Sequence, residues 1–235
     1  MYKRQELFYN KDIDKKTVEF QLDGIENNHI IKVLRKKEGD VITFTNGKNL
    51  KFKVKIIKLS RKSSLFKILS SEVVESNKHL HVAISILKSS SRFEIFLEKA
   101  VEIGLSEITP IISERTLKKN VKIERCNKII ISALKQSFKY NLPKLNKPVK
   151  FKDFIKLNTG HNKLIATCEN LKKKSLAESF HISKNNIVLI GPEGDFSKNE
   201  LKDAQINGFK FVTLGNTRLR AETAGIMTCA IFSMI

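Results

Sequence analysis

The chain's 235 residues suffice for one large domain or two modest ones, each with a packed core. Hydrophobic residues make up 41%, with fifteen Phe and no Trp, and no apolar run approaches the roughly 18 residues of a membrane span, so no membrane-spanning helix is expected. A net charge of +20 points to a polyanionic partner, because clustered Lys and Arg bind phosphates by releasing their counterions.

The opening Met1–Glu6 lacks the apolar core of a signal peptide, which makes the cytoplasm the expected location. Charge alone does not establish the partner. The 36 Lys against 8 Arg, alongside many Ile and Asn, could also come from a compositionally biased genome. From Arg115 to Lys152, however, twelve basic residues stand against one acidic residue, Glu124. A merely solvated surface mixes signs more evenly, so nucleic-acid contact is the favoured reading. Cys126, Cys168 and Cys229 lie far apart without CxxC spacing, which argues against a disulfide framework or a zinc site. His79 and His81 alternate along an apparent strand with no Cys or acidic residue at ligand spacing, and no metal is expected.

In chain order, Glu26 to Arg35 reads as a single helix, and Gly39-Asp40 turns the chain into a strand at Val41–Thr45. Asn46-Gly47, the favoured hairpin dipeptide, follows, and Leu50 to Ile56 then alternates at period two. Ser64 to Ser70 is a further strand. Several short strands and one helix within about seventy residues predict a small β-barrel. A polar stretch near Ser71 to Lys78 marks the boundary and divides the chain into 1–72 and 73–235.

Beyond it the rhythm changes. Leu80 to Leu87 is an apolar strand. Ser91-x-x-Glu94 predicts a capping box for a helix that gathers Phe93, Phe96, Leu97, Ala100 and Val101 on one face and ends at Gly104. Glu107 to Ile112 is a strand, and Cys126, Ile129, Ile130, Ala133 and Leu134 form the inner face of another helix. Leu164 to Thr167 and Ile187 to Ile190 are short buried strands, with the Lys172-Lys173-Lys174 run between them read as a solvated loop or helix entrance. Ser197-x-x-Glu200 predicts a second capping box, its helix closing at Gly208. Lys210 to Leu214 is the last strand and Ala221 onward the last helix. Strands alternating with helices predict an α/β domain with a parallel sheet covered on both faces.

Ligands of open parallel sheets sit at the C-terminal ends of strands, and two strand ends here are unusual. One continues as Gly191-Pro192-Glu193-Gly194-Asp195-Phe196, where the first Gly admits a ligand close to the backbone, Pro fixes the turn and the second Gly admits a positive φ. The other continues as Gly215-Asn216-Thr217-Arg218-Leu219-Arg220-Ala221-Glu222-Thr223-Ala224-Gly225, two arginines feeding a helix of small residues. Either loop alone is also compatible with an ordinary tight connection. The P-loop, GxGxxG and GxSxG patterns are all missing, which leaves a cofactor held by backbone amides and apolar contacts without a phosphate cradle.

Four motifs carry a resemblance over nearly the whole chain: His29-x-x-x-Val33-Leu34-Arg35; Glu98–Gly104 leading to Ile108-Thr109-Pro110 and Ser113-Glu114-Arg115; Leu189–Gly194; and Leu214-Gly215-x-x-x-Leu219-Arg220-x-Glu222-Thr223-Ala224. With them the chain resembles the SPOUT class of methyltransferases and, within it, the small-subunit ribosomal RNA uridine-N3 methyltransferase family (RsmE). That resemblance implies a PUA-like N-terminal barrel, a C-terminal domain tied in a deep trefoil knot, and an obligate homodimer whose sites borrow from both subunits. It also implies bound S-adenosyl-L-methionine. Its expected contacts are Ala166 and Thr167 of a first loop running to Glu169, then Ile190, Gly191, Pro192, Glu193 and Gly194, then Leu214, Gly215, Leu219, Arg220, Thr223 and Ala224. Departures stand at Lys135 and Phe138, where many members show a Glu-Gln pair before a Gly-Arg pair, and at Asp195, where Gly is commoner.

The acceptor implied is uracil N3 in 16S ribosomal RNA, or the small subunit that contains it. Arg220 is expected to stabilise the uracil anion or orient the base, and Glu222 to position Arg220, to take the proton, or simply to favour a helix N-terminus. Arg35, Lys36, Arg115, Lys118 and Lys139 are candidate RNA contacts. Two rivals stay open, a ribose 2′-O-methyltransferase of the same class and a non-catalytic ribosome-assembly factor.

Overall fold

The computed structural model describes residues 6–75, 79–157, 161–181 and 183–235, so residues 1–5 and the end of the expected boundary, 76–78, lie outside the described residues. The chain divides into two compact units. One runs through Ser76 and adds Leu134–Leu142; the other comprises Asn77–Ala133 and Pro143–Ile235. No described helix is long and apolar enough to cross a membrane.

The first unit is a five-stranded sheet in the order β1 (Leu7–Tyr9), β3 (Val41–Thr45), β4 (Leu50–Lys58), β5 (Ser64–Val73), β2 (Glu19–Leu22). Only the β1–β3 pairing is parallel. Strand alternation fills the interior: Phe52, Val54 and Ile56 of β4 are buried while lysines separate them. Phe8, Phe44 and Phe66 pack with them, and Phe20 stacks on Phe66 at 5.2 Å. The helix expected over Glu26–Arg35 is shorter and irregular: α1 (Gly24–Asn28) passes into a π-helical turn, His29–Val33, and Arg35 adopts φ 51°.

Asn46-Gly47 is not the two-residue hairpin turn its composition suggests. Thr45 pairs with Lys51, leaving a longer connection, and Leu142 N–H donates to the Gly47 carbonyl at 2.8 Å. A Cβ on Gly47 would lie 2.6 Å from that of Leu142, so glycine is needed here for close approach of a distant segment as well as for its φ of 75°.

The second unit contains β6 (Leu80–Ser85), α2 (Ser90–Ile103), β7 (Glu107–Ile112), α3 (Ile123–Gln136, its last turn falling in the first unit), β8 (Lys144–Leu145), β9 (Val149–Lys150), α4 (Phe151–Leu157), β10 (Asn162–Ala166), β11 (Lys174–Ser175), α5 (Leu176–Ser179), β12 (Asn186–Ile190), α6 (Lys198–Ile206), β13 (Lys210–Thr213) and α7 (Ala221–Ser233). The sheet order is β11-β13-β10-β12-β6-β7-β8, with β9 also on β7, and every pairing is parallel. The central strands are wholly buried, which is why they read as apolar runs and not as alternation.

Ser197 and Glu200 form the expected reciprocal capping box of α6. At α2 the expected box does not form. The helix begins at Ser90, and the Glu94 carboxylate is taken instead by Arg125, with its Nη2 at 2.8 Å. Gly225 of α7 lies flat on Phe96 of α2, where a Cβ would meet the ring at 2.6 Å, so the small residues of α7 serve close helix packing. Phe138, where the sequence departs from glycine, has φ 53° and closes α3 in the position a left-handed residue occupies, with Lys139 N–H donating to the Leu134 carbonyl. Lys135 pairs with Glu26 of the same unit.

Candidate active site

Register brings three strand ends together. Ala166 closes β10 beside Ile190 of β12 and Val212 of β13, so the connections that follow all leave the sheet at one edge. They enclose a cavity of about 710 Å³ within the second unit, a size suited to a small cofactor. Its lining includes Ala166, Thr167, Ile190, Gly191, Pro192, Glu193, Leu214, Gly215, Leu219, Arg220 and Ala224, all singled out from the sequence. Gly194, Glu222 and Thr223 are not part of the lining.

The GPEG turn works differently from its sequence reading. The left-handed residue is Asp195, at φ 63°, and not Gly194. Gly194 instead offers its carbonyl to Arg115 Nη1 at 2.6 Å, and a Cβ there would make ordinary contact with the Arg115 stem. At Gly191 a Cβ would sit 3.2 Å from both Asp195 Oδ1 and Phe196, so a side chain there would press on its neighbours by a few tenths of an ångström. Gly215, at φ 136°, opens the third loop.

Several lining residues were not anticipated, among them Cys168, Lys173, Asp195, Asn216, Thr217 and Arg218. Asp195 Oδ2 accepts from the Thr167 hydroxyl at 2.8 Å and the Cys168 N–H at 2.7 Å, while its Oδ1 accepts from Phe196 N–H at 2.8 Å. Lys173 Nζ donates to the carbonyls of Thr167 and Glu169 at 3.1 and 2.7 Å. Its position in a lysine run concealed it, because nothing in the run distinguishes the half-buried member from its two exposed neighbours. Lys174 begins the edge strand β11, so the run is a strand entrance.

Arg218 and Arg220 are exposed on the third loop, and Arg220 is the N-cap residue of α7. Glu222, two residues into that helix, is buried with Arg92 Nε 3.6 Å away. A carboxylate there complements the helix dipole. Thr223 is exposed. Of the basic candidates, Arg35 is exposed and Lys36 pairs with Glu6 at 2.9 Å in the first unit, where Lys139 also lies. In the second unit Lys118 bonds Ser90 Oγ, next to the start of α2.

A family model for an RNA methyltransferase domain matches residues 74–233, and one for an RNA methyltransferase PUA domain matches residues 22–69. The chain is 32% identical to the ribosomal RNA small subunit methyltransferase E of Mesomycoplasma hyopneumoniae, a match covering 88% of this chain and 90% of that protein. Among solved structures it is similar to a probable rRNA-methyltransferase from Porphyromonas gingivalis, at 35% identity and a TM-score of 0.87 over 95% of each chain. The ribosomal RNA small subunit methyltransferase E of Neisseria gonorrhoeae, solved bound to S-adenosyl methionine, matches at 28% identity and a TM-score of 0.85, over 96% of this chain and 95% of that one.

Proposed function

This chain belongs to the ribosomal RNA small subunit methyltransferase E family, and from that premise we propose that it transfers a methyl group from S-adenosyl-L-methionine to N3 of a specific uridine in 16S ribosomal RNA. The observation that carries the reading is the single cavity in which the Gly191–Glu193 turn and the Leu214–Ala224 loop meet.

The residues present fit the cofactor. Ala166, Ile190, Val212 and Leu214 offer apolar walls for an adenine, while Thr167 and Arg218 offer polar partners for an amino acid zwitterion. Ile190–Glu193, Leu214, Gly215, Leu219 and Ala224 would hold it. When bound, S-adenosyl-L-methionine supplies an electrophilic methyl group on a sulfonium. The chain's own contribution is to align the acceptor and ready it for an in-line displacement.

Uracil largely keeps its N3 proton at neutral pH. Each pKa unit by which the site favours the anion is worth about 1.4 kcal/mol. The Arg220 guanidinium, exposed at the cavity rim, is assigned to the O2 or O4 edge of the base, where it stabilises the charge as the proton leaves. Glu222 is assigned to anchoring the start of α7 through Arg92. The uridine must be unpaired or flipped for N3 to be reached. Arg35, Lys36, Arg115, Lys118 and Lys139 are proposed to contact the RNA backbone. The enzyme is proposed to act in the cytoplasm as a homodimer with the knotted topology of its class; exposed Met227 and Met234 at the end of the chain support a partnered surface there.

Mass spectrometry of small-subunit ribosomal RNA from a deletion strain tests the reading. One missing base methyl, restored by the gene, is the expected result. A missing ribose methyl, or an unchanged methylation pattern, would overturn it.

A further inference from the structure

The loop after β10 is gripped at one peptide bond from both sides. The carbonyl of the Thr167–Cys168 peptide accepts from Lys173 Nζ at 3.1 Å, and its N–H donates to Asp195 Oδ2 at 2.7 Å. A planar unit held at both polar ends cannot turn without breaking a charge-assisted hydrogen bond. The grip extends to either side. The same carboxylate oxygen takes the Thr167 hydroxyl at 2.8 Å, and the same ammonium reaches the Glu169 carbonyl at 2.7 Å. Asp195 belongs to the loop after β12, so two of the three loops around the cavity are tied together through it.

The backbone at Asp195 makes the case stronger. At φ 63° glycine would sit without strain, whereas a residue with a Cβ does so at a cost. Its own Oδ1 relieves part of that cost through the Phe196 N–H. A residue with a side chain at positive φ beside a cavity invites a functional explanation, and here the carboxylate supplies it.

We infer that Asp195 and Lys173 are positioning residues that lock the Thr167–Cys168 peptide in one orientation and so preform the cavity wall for S-adenosyl-L-methionine. The inference rests on the cofactor reading of this cavity. Neither side chain acts on the transferring methyl. Their effect is that the cofactor meets a loop already ordered, and binding does not have to order it.

Asp195→Gly is the informative variant, because it deletes the carboxylate and gives the position the residue its φ favours. Lys173→Met removes the ammonium and keeps the stem. Calorimetry with S-adenosyl-L-homocysteine on the full chain is expected to show affinity about tenfold weaker for each, ~1.4 kcal/mol. Amide exchange at Cys168, followed by NMR in the ligand-free protein, is expected to quicken while the thermal midpoint of Asp195→Gly holds or rises. Asp195→Asn, which keeps an acceptor oxygen, should recover part of the affinity, and in turnover the loss should fall on KM for the cofactor. Asp195→Gly binding within about twofold of the unaltered chain, with Cys168 exchange unchanged, would overturn the inference and leave the proposed function standing. An unaltered chain that does not bind S-adenosyl-L-homocysteine would remove the cofactor reading itself, and the inference with it.

Discussion

The two ends of the parallel sheet are made by the same strands and treat polar groups in opposite ways. At the N-terminal ends polar side chains bond one another. Asn162 Nδ2 donates to Asn186 Oδ1 at 2.9 Å, and Asn186 Nδ2 donates to the carbonyls of His181 and Lys184, both at 2.8 Å. Asn146 bridges Glu107 and Thr109 at 2.7 Å each, and His81 Nε2 lies 2.7 Å from the Thr109 hydroxyl. At the C-terminal ends the loops turn through Asp195 and Gly215 at positive φ, and Arg218 and Arg220 stay exposed at the rim of a cavity. The side chains named at the first end bond one another, whereas the second end leaves two guanidiniums exposed beside a cavity. The proposed chemistry is placed at the second end, in line with the general placement of ligand sites in parallel sheets.

Breaking each end separately should give different signatures. The largest effect is expected from Arg220→Ala, with kcat reduced by roughly 10²–10³ and cofactor affinity largely kept, as for loss of one donor to a developing anion. Methyl transfer to ribosomal RNA beside calorimetry with the cofactor measures both, and undiminished turnover would remove Arg220 from its assigned role.

At the other end, Asn186→Ala should cost about 3 kcal/mol of stability, because it removes the hydrogen bonds that Asn186 donates to the His181 and Lys184 carbonyls and accepts from the His181 N–H and the Asn162 amide. Urea denaturation reads this loss. Cofactor affinity of the folded variant should stay unchanged, and a matching loss of affinity would erase the distinction between the two ends.

A pH-dependent effect of similar size is expected at His81. Burial pushes its pKa down to about 4, with Glu107 opposing and His79, His161 and Lys144 adding to the shift. The unfolded chain takes up this proton near pH 6.5 while the native state does not. Stability from this group is therefore complete above about pH 6.5, lost as pH falls toward 4, and level below, for about 3 kcal/mol in total. Urea midpoints measured between pH 7 and 4 should fall less steeply for His81→Gln than for the unaltered chain.

Much of the second unit was legible because periodicity is a local property. The apolar runs at Leu80, Leu164 and Ile187, the capping box at Ser197 and the glycine stop at Gly104 need no distant partner, and each appears where expected. Strands β8, β9 and β11 were not legible. Two residues carry no period, and pairing with a longer strand is what makes them strands. The Ser91-x-x-Glu94 pattern misled for a related reason, since Arg125, thirty-one residues away, outcompetes the local backbone for the carboxylate.

The site divides in the same way. The glycine-rich loops and the small residues of α7 were evident from residue types, because turns and close packing restrict which amino acids can serve, whereas the Leu219-Arg220 pair stood out only through the family resemblance. The sequence also determined the alternation of strands and helices, and through it the end of the sheet where a ligand would bind. Only the tertiary structure decided that Asp195, and not a glycine, bends the second loop, that Glu222 meets Arg92, and that Asp195 and Lys173 share one peptide. Those facts depend on groups far apart in the chain coming within hydrogen-bond distance. No local pattern encodes that, because many residues of the same type could have made the contact and packing selects one.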